Sequence, residues 1–382
     1  MPLVFQAGLP FLVNAFLLSS VLTRVPDIQA VLGVDKATLG LALFAAPFAT
    51  MLTLTVVGRL VERVGERAAT SWAGVAMAIA LVPVGFASHW LAFAAALLAL
   101  GAANAVMEVG MNLASARAEQ HYRQNILSRS HGFWSFGMVG GALISGVLAE
   151  LGISVTAHLI GAAAAGILFS LALRPVFPKL PPQPAREGSG SAAFSLPSVV
   201  ILGVCVMAAG VTMAEGAVYD WSTLFLRQVL DASPFYASLG YAIFALVQAT
   251  GRMFGDAVRA RIDGVRIVQF AAVAAIAGLV GLATAPNIVV AWVALGVIGL
   301  GVSLVYPVAS AAAASRGGPG AAANLAGLTL VTMMALLTGP PVIGLISEAF
   351  GLPAAFLALV PLSVLSFLFA GHARIVARPA GT

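Results

Sequence analysis

Residues 100 to 119 read Leu-Gly-Ala-Ala-Asn-Ala-Val-Met-Glu-Val-Gly-Met-Asn-Leu-Ala-Ser-Ala-Arg-Ala-Glu and place one carboxylate, Glu108, in a run that is otherwise almost wholly apolar or small. The run begins near Trp90 and meets no other ionisable group before Arg117. On a helix, Glu108 therefore lies about 27 Å from one end of the run and about 14 Å from the other. That is membrane depth, where an unpaired charge costs roughly 3 kcal/mol or more and an ionisable side chain is a functional hypothesis by default. Glu108 and Asn112 are four residues apart and share one helix face. The carboxyl can exchange a proton, and the amide can donate and accept toward a hydroxylated ligand or toward the carboxyl itself. An apolar setting favours the neutral acid, which suits a proton-coupling group. The structural alternative is an interhelical hydrogen bond made by a protonated Glu108.

Outward from this stretch the whole chain has the same character. Of 382 residues, 60% are hydrophobic and 9% charged, against about 25% charged in a soluble domain, so the chain is expected to be an integral membrane protein. Charged, Pro and Gly clusters divide it into twelve spans near 3 to 22, 37 to 58, 68 to 87, 90 to 115, 131 to 149, 152 to 173, 197 to 222, 235 to 254, 267 to 285, 288 to 312, 322 to 346 and 352 to 371. Each is long enough for an apolar crossing. The first run has no basic residue before it and no convincing small-residue cleavage site, so it reads as an uncleaved span. Cys205 is alone, which leaves it neither a disulfide partner nor a metal site.

Charge sets the orientation. The links after even-numbered spans, the central link and the C-terminal tail hold 16 of the 19 Lys and Arg residues, while the opposite links hold only Arg24, Lys36 and Arg227. The positive-inside rule then puts both termini in the cytoplasm of a bacterial inner membrane. This asymmetry accounts for the net charge of +5 without a nucleic-acid partner. The longest polar stretch, Pro175 to Ser195, contains Pro-Pro-Gln-Pro and Gly-Ser-Gly-Ser and reads as a flexible linker. The expected organisation is a six-span lobe over 1–174, a linker over 175–196 and a second six-span lobe over 197–382. An internal duplication supports it. Gly141, Gly146 and Glu150 lie 198 residues before Gly339, Gly344 and Glu348, and the same offset carries Gly101 to Gly299 and Glu108 to Tyr306. A six-plus-six repeat is the signature of a two-lobed secondary transporter with its site between the lobes.

Between spans two and three the sequence reads Gly58-Arg-Leu-Val-Glu-Arg-Val-Gly-Glu-Arg67. It resembles the signature loop of the major facilitator superfamily, with Glu62 where the family has Asp and Glu66 where it usually has a basic residue. Gly58 would let two helices approach closely, and Glu62 would accept from helix amides or pair with Arg63 as a cytoplasmic latch. The second-half counterpart, Gly251 to Arg261, carries Arg252 and a displaced acid, Asp256. The Glu108/Asn112 pair itself resembles the fourth helix of the fucose permease branch, whose Glu-x-x-x-Asn joins a proton-linked acid to sugar contacts. The stretches Ser130-His-Gly-Phe-Trp-Ser-Phe-Gly137 and Ala214-Glu-Gly-Ala-Val-Tyr-Asp-Trp221 resemble rhizopine-permease-like bacterial relatives of that branch. The resemblance implies an all-α major facilitator fold of twelve transmembrane helices in two pseudo-symmetric six-helix lobes. It also implies that spans one, four, seven and ten line the cavity. Fucose permease carries a further acid in its first span, where this chain has Asn14.

The candidate residues follow from these readings. For proton coupling they are Glu108, His131 and Glu215. His131 is either a relay partner of Glu108 or a water-facing residue at a helix start. Glu215 binds ligand, carries protons or simply hydrogen-bonds Tyr219. For solute contact they are Asn14, Asn112, Trp134, Asp220, Gln248, Tyr306 and Asn324. Asp220 with Trp221 also suits a solvated, Trp-anchored outer interface, and Tyr306-Pro307 also suits a plain helix kink. For gating they are Gly58, Glu62, Arg63 and Arg252. The lining has few charges and many neutral polar groups, which points to a proton-coupled transporter of a small neutral hydroxylated solute such as a sugar or polyol, working as a monomer without metal or cofactor. The rival is a proton-driven efflux antiporter for lipophilic compounds. Its usual Gly-Pro-x-x-Gly-Gly is replaced here by Gly137-Met-Val-Gly-Gly-Ala, without the Pro. No nucleophile with its base, metal-ligand cluster or phosphate loop appears, so an enzyme is not expected.

Overall fold

The computed structural model describes residues 1–124, 126–181, 196–317 and 320–375; most of the expected linker and the side chains of Ser128 and Asp256 lie outside that description. Helices α1 (Leu3–Leu22), α2 (Val25–Leu32), α3 (Lys36–Leu43), α4 (Ala45–Val64), α5 (Glu66–Phe86), α6 (Trp90–Tyr122), α7 (Leu127–Glu150) and α8 (Val155–Leu173) precede the linker. After it come α9 (Leu202–Val229), α10 (Pro234–Met253), α11 (Gly255–Arg259), α12 (Gly264–Ala283), α13 (Ile288–Val302), α14 (Val305–Ser315), α15 (Ala321–Phe350), α16 (Leu352–Leu357) and α17 (Val360–Leu368). Among the described residues, ten helical segments are long and apolar enough to cross a membrane, with α3–α4 and α13–α14 each counting once. Helix α10 and the α16–α17 pair supply the remaining two of the twelve expected spans.

Three departures from the sequence reading have local causes. Between spans one and two, α2 was not anticipated; Pro26 fixes its first turn, and Gly33, at φ 61°, ends it in the left-handed region. The Asp35 side chain then accepts from the Thr38 amide at 2.7 Å and starts α3. The tenth span is broken at Ser303–Leu304, and Pro307 lies in the first turn of α14, where its missing N–H deprives no intrahelical bond. Helix α6 runs seven residues past the expected end at 115, because Ala, Glu, Gln and Arg continue a good helix into water.

The chain divides into two compact units, Met1–Ser189 with Asp231–Ala242, and Gly190–Leu230 with Ile243–Thr382. In the first, α1 packs along α7, and α5 is held between α6 and α8. Phe11, Leu17, Met77, Leu81, Phe93 and Met107 are fully buried there. In the second, α9 packs on α15 and α17, and α12 on α13. Its core joins Val204, Met207, Val268, Ala309, Ala312 and Leu328, with Cys205 as one more packed side chain. Outward faces are apolar as well: Trp72, Ile79, Phe86 and Leu168 in one unit and Phe270 and Val293 in the other are more than half exposed. A soluble surface scatters such residues singly, whereas here they cover whole helix faces that need a lipid solvent.

The repeat seen in the sequence is also a repeat of contacts. A Cβ on Gly101 would overlap the carbonyl oxygen of Ala46, and one on Gly299 would stand 2.7 Å from that of Phe244. Ala46 and Phe244 are themselves 198 residues apart, so each unit brings its fourth helix against its second through a Gly on a carbonyl. Only a small residue permits that approach. Gly101→Ala and Gly299→Ala are each expected to cost about 1–3 kcal/mol and to lower the unfolding midpoint in detergent. Gly140→Ala, where a Cβ meets nothing within 4 Å, should leave the midpoint unchanged.

Candidate functional site

In the first unit the polar groups form a layer across α1, α6 and α7. Asn14 is completely buried on α1. Its Nδ2 donates to Asn104 Oδ1 at 2.8 Å, and its Oδ1 accepts from Trp134 Nε1 at 3.1 Å. Both ends of a buried amide are thereby satisfied, and the indole N–H fixes which end is oxygen. Asn104, which the sequence reading passed over, completes a stripe Asn104–Glu108–Asn112 at successive four-residue steps of α6. Asn112 Nδ2 donates to the backbone carbonyl of Glu108 at 2.9 Å rather than to its carboxyl. Asn112 Oδ1 lies 3.1 Å from Nε2 of His131, whose ring stands edge-on to Phe11 at 5.1 Å between centroids. His131 is thus exposed yet tied to Asn112 and not directly to Glu108. The Glu108 carboxyl itself is half-buried and has no hydrogen-bond or ion-pair partner among the described residues.

The second unit treats its membrane-depth acid differently. Glu215 Oε1 on α9 accepts from Gln248 Nε2 at 2.6 Å and from Arg252 Nη2 at 2.8 Å, both on α10. Tyr219 donates its hydroxyl to Gln248 Oε1 and packs edge-on to Phe244. The suggested Glu215–Tyr219 bond is therefore replaced by a relay through Gln248. Arg252, expected as a gate residue, forms the ion pair with Glu215. The signal that could have found this pair was a basic residue on span eight opposite a lone acid on span seven.

The remaining candidates separate into those left at least partly exposed and those spent on structure. Tyr306 is 41% exposed, with its hydroxyl 3.1 Å from Thr329 Oγ1. Asp220 is half-buried and has no partner among the described residues. Its neighbour Trp221 is wholly buried and cannot be an interfacial anchor. Asn324 is also wholly buried; its Nδ2 donates to the carbonyls of Arg316 and Gly317 and its Oδ1 accepts from Ser198. That amide ties the connection ahead of α15 to the segment ahead of α9.

The signature loop also needs revision. A Cβ on Gly58 meets nothing within 4 Å, so no close helix approach depends on it. Glu62 and Arg63 are exposed and not paired with one another. The engaged acid is Glu66, at the start of α5, which is buried and pairs with Arg117 of α6; Arg117 also donates to the Pro181 carbonyl. In the second half, Asp256 has its side chain outside the described residues.

The family model of the Major Facilitator Superfamily matches residues 9–336. An uncharacterized MFS-type transporter of Yersinia pestis is 27% identical over 360 residues, covering 93% of this chain and 90% of that one. A crystal structure of a point mutant of the nucleoside transporter NupG superposes with a TM-score of 0.81 at 16% identity, over 97% of this chain and 100% of that one. The E. coli fucose:proton symporter FucP superposes with a TM-score of 0.62 at 16% identity, over 98% of both chains. The chain is a multi-pass membrane transporter of the major facilitator superfamily.

Proposed function

We propose that the protein moves a small neutral hydroxylated solute, of the sugar or polyol class, coupled to protons by alternating access. The observation that carries this reading is the unpartnered Glu108 carboxyl set one turn from an amide on either side. Asn104 Nδ2 and the Glu108 carboxyl offer a free donor and a free acceptor about 5–6 Å apart at their Cβ atoms, a spacing suited to two hydroxyls of one solute. Trp134, fixed by Asn14, supplies an aromatic face beside them. A proton reaching Glu108 displaces no existing partner, whereas one reaching Glu215 must displace an ion pair. Glu108 is accordingly the coupling group in this scheme, His131 modulates it through Asn112, and Glu215 with Arg252 acts as a fixed charge pair. The superfamily fold shared with a nucleoside transporter and a fucose:proton symporter is consistent with a hydroxylated cargo. The arginine distribution supports cytoplasmic termini and an inner-membrane location.

A thermal-shift screen of purified protein against sugars, polyols, nucleosides and lipophilic cations tests the substrate class. A true solute stabilises the native state by an amount that grows as its concentration passes its dissociation constant, reaching about 2.7 kcal/mol at a hundredfold excess. Stabilisation confined to hydroxylated solutes supports the reading. Stabilisation by lipophilic cations alone, with drug resistance on expression, would replace it by the efflux antiporter.

A further inference from the structure

We infer that the first unit carries a binding site for the phosphate headgroup of an anionic phospholipid on the face that the arginine count places in the cytoplasm. The site is a cleft of about 820 Å³ formed where the α4–α5 turn meets the segment after α8, a volume in the range that holds a headgroup-sized ligand. It is lined by Arg63, Arg67, Arg174 and Lys179, none of which has an ion-pair partner among the described residues. The fifth cation of the lining, Arg117, is already neutralised by Glu66. Against the four stands one free acid, Glu62, so among the described residues the cleft carries an excess of three positive charges with no anion to balance them. Arg and Lys gathered in this way between transmembrane helices form the arrangement that takes up an anionic headgroup.

The surroundings favour a lipid over a free anion. Val64 lines the cleft and is 49% exposed, and Val176 beside it is exposed as well. The Arg174 guanidinium lies over the ring of Trp72 at 5.4 Å, and that Trp is itself 52% exposed on the outer side of α5. An exposed Trp with a cation on its face is the pattern of an interfacial anchor at headgroup depth. The cleft therefore opens onto the apolar outer surface, where the acyl chains of a bound lipid would lie. A soluble phosphate would draw on the charges alone.

The test uses the purified full-length protein in neutral detergent with phosphatidylglycerol, phosphatidylcholine or glycerol phosphate added in turn, read by native mass spectrometry and by the unfolding midpoint. Phosphatidylglycerol is expected to be retained and to raise the midpoint, and phosphatidylcholine is not. Each cation near an anionic headgroup contributes about fivefold in affinity. The variant Arg63→Gln/Arg67→Gln/Arg174→Gln should then bind phosphatidylglycerol about a hundredfold more weakly. A variant losing the same charge elsewhere on that face, Arg129→Gln/Arg261→Gln/Arg266→Gln, should bind like the parent. If the cleft variant does not fold, Arg174→Gln alone should still show about a fivefold loss. Equal weakening in the two triple variants, or protection by glycerol phosphate as strong as by the lipid, would overturn the assignment.

Discussion

Glu108→Gln is expected to abolish solute accumulation driven by a pH gradient while leaving solute exchange across a membrane without a gradient nearly intact. A pH difference of one unit corresponds to about 1.4 kcal/mol per proton, which supports about tenfold accumulation at one proton per solute. The amide variant has no proton to give up, so its accumulation ratio should fall to about one under the same gradient. Exchange needs only a site that binds and reorients. Gln keeps an acceptor oxygen and adds a donor at the same place, and Asn104 and Trp134 remain as they were. Proteoliposomes loaded at one pH and diluted into another measure the first quantity, and counterflow of labelled solute measures the second. Accumulation that survives in the variant would move the coupling group elsewhere, with Asp220 next in line as the other half-buried carboxyl without a partner among the described residues. Loss of both activities together would make Glu108 a binding residue first.

Why Glu108 could be found without coordinates, while its surroundings could not, follows from what the bilayer does to a sequence. A membrane leaves few polar residues in a span, so each survivor stands out, and the twelve spans themselves are legible because length and apolarity are both imposed. Asn104 escaped attention as one Asn in an Ala-rich run, although a step of four back from Glu108 would have reached it. Partners from other helices are a different matter. Nothing in the chain order says that Trp134 turns to Asn14 across 120 residues, or that Arg117 selects Glu66 over Glu62. Arg252 was misread for a related reason: a basic residue near the basic end of a span already satisfies the orientation rule, and that rule hides a second use. Asn324 erred in the opposite direction, since a buried amide is equally at home holding a backbone turn and holding a ligand.

The Glu215–Arg252 pair gives the second large expectation, and it is asymmetric. Losing one partner of a buried ion pair costs about 3–5 kcal/mol when both are fully buried. Here the Arg252 side chain is 37% exposed and that of Glu215 18%, so screening reduces the expected loss to about 1–2 kcal/mol. The two single variants should not be equal. Arg252→Gln leaves a carboxyl that still has the Gln248 amide as a donor. Glu215→Gln leaves a guanidinium that cannot shed its charge and has lost its anion, so this variant should unfold at the lower temperature. The double variant Glu215→Gln/Arg252→Gln removes both charges and leaves amides able to bond to each other, and it should recover most of what either single change loses. Unfolding midpoints and transport rates of the four proteins form a double-mutant cycle. If the single effects add to within about 0.5 kcal/mol, the two side chains are neighbours without being energetically coupled. If the double variant recovers stability but not transport, the pair acts in the transport cycle through its charge, because the fold then tolerates its removal and the cycle does not.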